Sequence, residues 1–163
     1  REDMSEYDVS EYGFPNQLFP MEGSPYGALR YPLMSPLGAP CNQTPWGSIT
    51  AVDLKSGKIL WKKTLGTTRD LAPWPLWLNI GTPNFGGVLA TAGGIVFSTG
   101  TTDHFVRAFD SLTGDEIWKA RTEGIAWSTP MTYKSAKQAS QKVLFALSGE
   151  SGASIVAYEL PAN

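Results

Sequence analysis

From Gly47 onward the chain is written in short apolar runs broken by glycine, proline and small polar clusters. SITAVDL and KILWKKTL are β-rich runs divided by a Lys-Ser-Gly turn, and together they predict a hairpin. A proline- and tryptophan-rich connection, DLAPWPLWLNIGTPNFGG, leads to VLATAGGIVFSTGT, which predicts two short strands broken at Gly93-Gly94. HFVRAFD, the turn SLTG and DEIWKART predict two more. Residues 125–163 repeat the theme more loosely in WSTPMTY, KVLFALSG and SIVAYELP. Seventeen glycines and twelve prolines without a collagen-like period fit many tight turns and an all-β chain.

The runs AVDLKSGKILW (Ala51 to Trp61) and AFDSLTGDEIW (Ala108 to Trp118) share the sentence Ala-x-Asp-x-x-x-Gly-x-x-x-Trp. Aligning Ala51, Ala108 and Ala157 gives three occurrences of the β-rich theme, the third a looser one, at a spacing of roughly 50 residues, the length of a four-stranded propeller blade. Asp53 and Asp110 can accept hydrogen bonds from turn amides, and Gly57 and Gly114 can take the positive φ that closes the turn. Trp61 and Trp118 are placed on the outermost strand with the indole toward the neighbouring blade, and Ala51 and Ala108 leave room for them. Burying an indole of about 200 Å² stabilises by several kcal/mol at roughly 25 cal/mol per Å², enough to set how blades pack. The predicted fold is therefore all-β: a partial β-propeller of two to three four-stranded blades, carried by residues 47–163. Closed propellers need about four blades or more, so the chain reads as a fragment, a swapped assembly or one piece of a larger ring. Residues 1–46 hold most of the prolines and read as an ordered but irregular arm, since Phe14, Leu18, Phe19, Tyr26, Leu29, Tyr31 and Leu33 are too apolar for a solvated linker.

Composition narrows the function classes. With 13 basic and 15 acidic residues in 163, the chain has no electrostatic footprint for a phosphate backbone, and no nucleic-acid partner is expected. Cys41, the only cysteine, permits no intrachain disulfide and reads as a small buried or half-buried residue. No apolar run reaches the roughly 18 residues of a membrane-spanning helix, and the start REDMSEYDVSEYGF is not a signal peptide. Its first residue, Arg1, suggests a chain that begins inside a longer gene product. His104, the sole histidine, leaves no zinc cluster or Ser-His-Asp triad to build and reads as a solvated turn residue. Asp103 and Asp110 fit turn capping. The glycines of ATAGGIVFSTGT match neither a dinucleotide fold nor a phosphate loop. Trp74 and Trp77 read as packing the long connection against the propeller face.

The repeated sentence resembles the tryptophan-docking motif of quinoprotein dehydrogenases, eight-bladed propellers that bind pyrroloquinoline quinone (PQQ). PLGAPCNQTPWGSITAVDLKSGKILW, GTTRDLAP, NIGTPNFGGVLATAGGIVFSTGTTDHFVRAFDSLTGDEIWKAR and TPMTY, in that order, are similar to the C-terminal part of the membrane-bound glucose dehydrogenase group. The resemblance implies a parent that oxidises a sugar, polyol or cyclic alcohol, glucose to gluconolactone foremost, on the periplasmic side of the bacterial inner membrane. It implies PQQ held by calcium or magnesium, and electrons passed to ubiquinone through a membrane domain of the parent. The aspartate base and the metal ligands of such enzymes lie in earlier blades, so the chain is expected to carry no catalytic or metal-binding residue and to be inactive alone. In related alcohol dehydrogenases a Trp-Gly-Gly before the matching strand sets an aromatic against the quinone. Phe85, Gly86 and Gly87 occupy those positions here, with Phe in place of Trp, so Asn84, Phe85 and Gly86 are the implied cofactor-binding residues. Glu150 and Ser151 stand where relatives carry a longer glycine- and histidine-containing loop. The implied macromolecular partner is the rest of the propeller, or a second copy joined through open blade edges. A rival reading is a noncatalytic propeller scaffold or protein-interaction module of the bacterial envelope.

Overall fold

Each β-rich run of the sequence pairs with its nearest neighbour along the chain, so the sheets are built from hairpins and meanders. A computed structural model describes residues 17–20, 23, 25–30, 33–36, 39–134, 141–149 and 152–159. Its contacts divide into two units, Arg1–Asn42 and Gln43–Asn163. In the first unit β1 (Gln17–Pro20) and β2 (Gly27–Arg30) form a two-stranded antiparallel ribbon. Cys41 is exposed, against the expectation of a buried or half-buried thiol, as are its chain neighbours Asn42 and Gln43.

The second unit holds three sheets. β3 (Ser48–Val52) pairs with β4 (Ile59–Thr64). β5 (Val88–Ala90), β6 (Ile95–Ser98), β7 (Phe105–Asp110) and β8 (Glu116–Arg121) form a four-stranded antiparallel sheet in sequence order. β9 (Met131–Lys134), β10 (Gln141–Gly149) and β11 (Gly152–Glu159) form a third sheet, with β10 central. These are the blades of an all-β partial propeller. One has four strands among the described residues, and the others have three and two.

The two docking sentences occupy equivalent places. Ala51 faces Trp61 across β3–β4 and Ala108 faces Trp118 across β7–β8, each pair followed by a bulge. β3 and β4 are thus the third and fourth strands of their blade. In both turns the aspartate accepts backbone hydrogen bonds, from Lys55 N at 3.0 Å to Asp53 and from Leu112 N and Thr113 N at 2.8 and 2.9 Å to Asp110. Gly57 and Gly114 have φ of 69° and 70°. Gly114 has a second reason to be glycine: a Cβ there would lie 2.5 Å from the Trp61 ring, so the indole of one blade rests on the turn of the next. Trp61 Nε1 donates to Ser111 O of that turn at 2.9 Å, and Lys63 pairs with Asp115 at 3.0 Å. Trp118 likewise reaches the third sheet, edge-on to Tyr158 of β11 at 5.2 Å.

Between the sheets lie two apolar clusters. Ile49, Leu65 and Phe109, with Trp61 and Val96 against them, join the first blade to the second. Val106, Ala126, Phe145 and Leu147, with Val156 and Tyr158, join the second to the third. Strand direction then fixes the two ends of the assembly. Because consecutive strands are antiparallel, the docking turns and the β5–β6 turn fall at one end. The connections 65–87 and 122–130 and the β6–β7 turn fall at the other.

Candidate cofactor-facing site

Residues 81–87 lead into β5, the first strand of the complete blade and, in a propeller, the one nearest the axis. Backbone contacts tie this segment to both blades. Gly81 N donates to Gly66 O at 3.1 Å and Thr82 N to Leu65 O at 2.9 Å, fixing it to the end of the first blade. Phe85 N donates to Gly100 O at 3.0 Å, Thr99 N donates to Gly87 O at 3.2 Å, and Asn84 bridges Thr101, fixing it to the second.

At Gly86 the chains run so close that a Cβ would sit 2.5 Å from Thr99 O, which is why no side chain fits. Asn84 Oδ1 accepts from Gly86 N at 2.9 Å, an Asx turn that sets the direction of the residues between. The three residues singled out from the sequence are therefore brought together on one rigid turn. Phe85 projects from it with 46% of its surface exposed.

A fourth residue, missed in the sequence, joins them. Trp127 lies ahead of β9 as Phe85 lies ahead of β5, and its ring meets Phe85 at 5.0 Å between centroids and 38° between planes. It is 41% exposed. The segment carrying it is held from both sides: Thr99 Oγ1 donates to Ser128 O at 2.7 Å, and Ala146 N donates to Ser128 Oγ at 2.7 Å. The signal in the sequence was an aromatic at nearly the same offset before the first strand of successive repeats.

At the same end Asp103 is fully buried, and turn capping is a minor part of what it does. Its carboxylate accepts from Arg107 Nη1 at 3.1 Å, from Nη2, and from Thr67 N and Oγ1 at 2.8 and 3.0 Å. Arg107 also donates through Nε to Glu116 at 3.1 Å. Burial pushes the Asp103 carboxyl up, but the Arg107 guanidinium and the Thr101 and Thr67 hydrogen bonds outweigh it, and the group sits below the usual carboxylate value. With its lone pairs taken and its proton affinity lowered, Asp103 is suited to clamp the first blade to the second and unsuited to act as a base. His104, expected in solvent, is half-buried with φ of 58°, because its carbonyl accepts from both Thr122 N and Thr122 Oγ1.

Of Trp74 and Trp77, expected to pack the connection against the propeller face, only Trp77 is linked to it, through Arg69, whose guanidinium also lies over Phe105 of β7 at 5.8 Å. The two indoles meet edge-on at 5.5 Å, and Trp77 donates to Ala72 O and lies under Arg69 at 4.9 Å. Trp74 remains 74% exposed, because Pro73 and Pro75 hold its stretch as a tight loop supported by its own side chains. Glu150 and Ser151 lie outside the described residues. Among the described residues no three of His, Cys, Asp or Glu gather in a way that could hold a metal ion.

Known proteins match this chain along most of its length. It is 39% identical over 151 residues to a probable quinate dehydrogenase (quinone) of Xanthomonas campestris pv. juglandis, covering 87% of this chain and 19% of that protein. It is 37% identical over 164 residues to the quinoprotein glucose dehydrogenase of Escherichia coli strain K12, covering 94% and 20%. Against the glycerol dehydrogenase large subunit of Gluconobacter oxydans strain 621H it is 46% identical over 121 residues, covering 70% and 16%. The chain thus spans about a fifth of the length of the curated relatives it matches. Residues 1–162 match the PQQ family described as the glucose/ethanol/alcohol dehydrogenase β-propeller domain, and with blades docked indole to glycine in its own structure the chain belongs to that family.

Proposed function

We propose that this chain supplies the last blades of a PQQ-dependent dehydrogenase and that Asn84, Phe85 and Gly86 line its cofactor cavity. The observation that carries the reading is the turn itself: an aromatic ring held half-exposed on a backbone clamp at the axial strand, in a member of a quinoprotein family. The site residues fit a flat, oxygen-rich cofactor. Phe85 offers a ring face, Gly86 keeps the backbone close, and the Asn84 Nδ2 amide donates to no described residue. When bound, PQQ supplies the two-electron acceptor for the alcohol carbon. The residues of this chain bind and orient it and keep one wall of the cavity fixed.

They do not fit the calcium or magnesium of such enzymes. That ion needs several oxygen ligands, and no suitable cluster stands among the described residues. The metal and the general base belong to the remainder of the parent, so the segment is inactive alone. The parent takes a sugar, polyol or cyclic alcohol, glucose being the first to test given the named relatives. It works at the periplasmic side of the inner membrane and passes electrons to ubiquinone through a membrane domain. Residues 1–46 serve as an irregular arm to the blades of 47–163. Open blade edges join the rest of the propeller, or a second copy when that is missing.

Reconstitution with PQQ, calcium, glucose and an artificial acceptor tests the division of labour. Turnover by the full-length parent and none by this chain alone is the expected result. Turnover by the segment would overturn it. A noncatalytic scaffold would show no PQQ binding even at full length.

A further inference from the structure

The Phe85–Trp127 contact holds more than a cofactor platform needs. The two rings stand 38° apart, so a flat molecule resting on Phe85 does not also lie flat on Trp127. Both residues precede the innermost strand of their blade, and both sit at the end of the propeller that carries the Asn84 turn. Trp127 therefore stands beside the Phe85 ring at that end, tilted away from its plane. The indole is 41% exposed, and its Nε1 donates to no described residue. An N–H with no acceptor among the described residues, on a half-exposed indole, suits a molecule with a C–H-rich ring face and hydroxyls around its edge.

We propose that Trp127 is a specificity-determining residue of the substrate site. Its indole face receives the ring of a cyclic polyhydroxy substrate, and its Nε1 donates to a ring hydroxyl. The segment is pre-set for this task, because the Thr99–Ser128 and Ala146–Ser128 hydrogen bonds hold it between two blades. The assignment rests on the cofactor reading of Phe85. It adds a ligand contact that the sequence pattern of the docking motif does not contain.

The test uses the full-length parent and the variants Trp127→Ala and Trp127→Phe, with glucose and quinate as cyclic probes and equilibrium PQQ titration as a second readout. Trp127→Ala is expected to raise KM for the cyclic substrate about tenfold while kcat and the PQQ Kd stay within about twofold. Trp127→Phe, which keeps a ring face, is expected to recover most of the loss. Unchanged KM in Trp127→Ala would overturn the assignment. So would KM, kcat and PQQ affinity moving together, the signature of a merely structural residue, or a parent that oxidises glycerol and neither cyclic probe. A parent that binds no PQQ would overturn the cofactor reading as well. Normal PQQ binding with unchanged KM would sink the substrate assignment alone.

Discussion

At the scale of single residues, Trp61 and Gly114 show how one indole holds two blades. Trp61→Ala removes a ring packed against Phe109's cluster and should destabilise the chain by about 3 kcal/mol in urea unfolding. Trp61→Phe keeps an aromatic and loses the N–H bond to Ser111 O, for about 1 kcal/mol. Asp103 makes a different kind of prediction. Its folded value lies below the ordinary 3.8, so its contribution is complete above that pH and is lost as pH falls through the lower folded value. Unfolding followed from about pH 6 to about pH 3 should show wild type losing stability in acid, and Asp103→Asn losing much less over the same span. At neutral pH Asp103→Asn should cost about 3 kcal/mol, because it leaves the buried Arg107 cation with only the more exposed Glu116 as its counter-charge. An equal acid slope in both proteins would show that the pair carries no pH-linked stability. Asp103 looked like a turn cap in sequence because nothing there says that the Arg107 side chain, four residues on, folds back onto it, or that Thr67 of the connection after β4 donates to it.

At the scale of elements, the docking turns are alike in sequence and unlike in surroundings. A Cβ on Gly114 collides with the Trp61 ring, whereas a Cβ on Gly57 meets nothing within 4 Å. Gly57→Ala should therefore cost only the backbone strain of a positive φ, about 1 kcal/mol. Gly114→Ala should cost about 1–3 kcal/mol more through overlap with the indole. In the full-length parent the gap between the two variants should narrow, because a preceding blade would bring its own aromatic to Gly57. Comparing thermal unfolding of the four proteins measures this, and equal costs in the isolated chain would contradict the docking geometry. The docking hairpins were legible in sequence because their Asp, Gly and Trp act within eleven-residue repeats whose turn chemistry is local. The long connection was not. The Pro-Trp-Pro-Leu-Trp run of residues 73–77 fixes a tight loop but says nothing about which way its indoles turn, and Trp74 turns outward. Trp127 went unread for a related reason: its partner Phe85 belongs to a different blade, and only their meeting gives the pair a meaning.

At the scale of the whole molecule, the described strands leave sheets unfinished. β11 has no fourth strand beyond it, and β3 has no inner neighbours, so backbone groups on both flanks lack ladder partners among the described residues. Ile155 of β11 is 76% exposed. Such flanks favour edge-to-edge pairing. The isolated chain is expected to run as dimers or larger species by light scattering, with lysine substitution of Ile155 reducing them. A strict monomer at high concentration would show the edges are already covered. The family-level reading was legible from ordered motifs along the chain, and the two ends of the propeller follow from strand direction. Which residues meet at the axial end required the packing of three sheets.

The central claim is that the Asn84–Gly86 turn lies against the quinone, and equilibrium titration of PQQ into the full-length parent tests it most directly. Phe85→Ala should weaken PQQ binding about tenfold with the unfolding temperature nearly unchanged, since the ring is half-exposed and anchors little of the core. PQQ affinity indifferent to the loss of the Phe85 ring would contradict it.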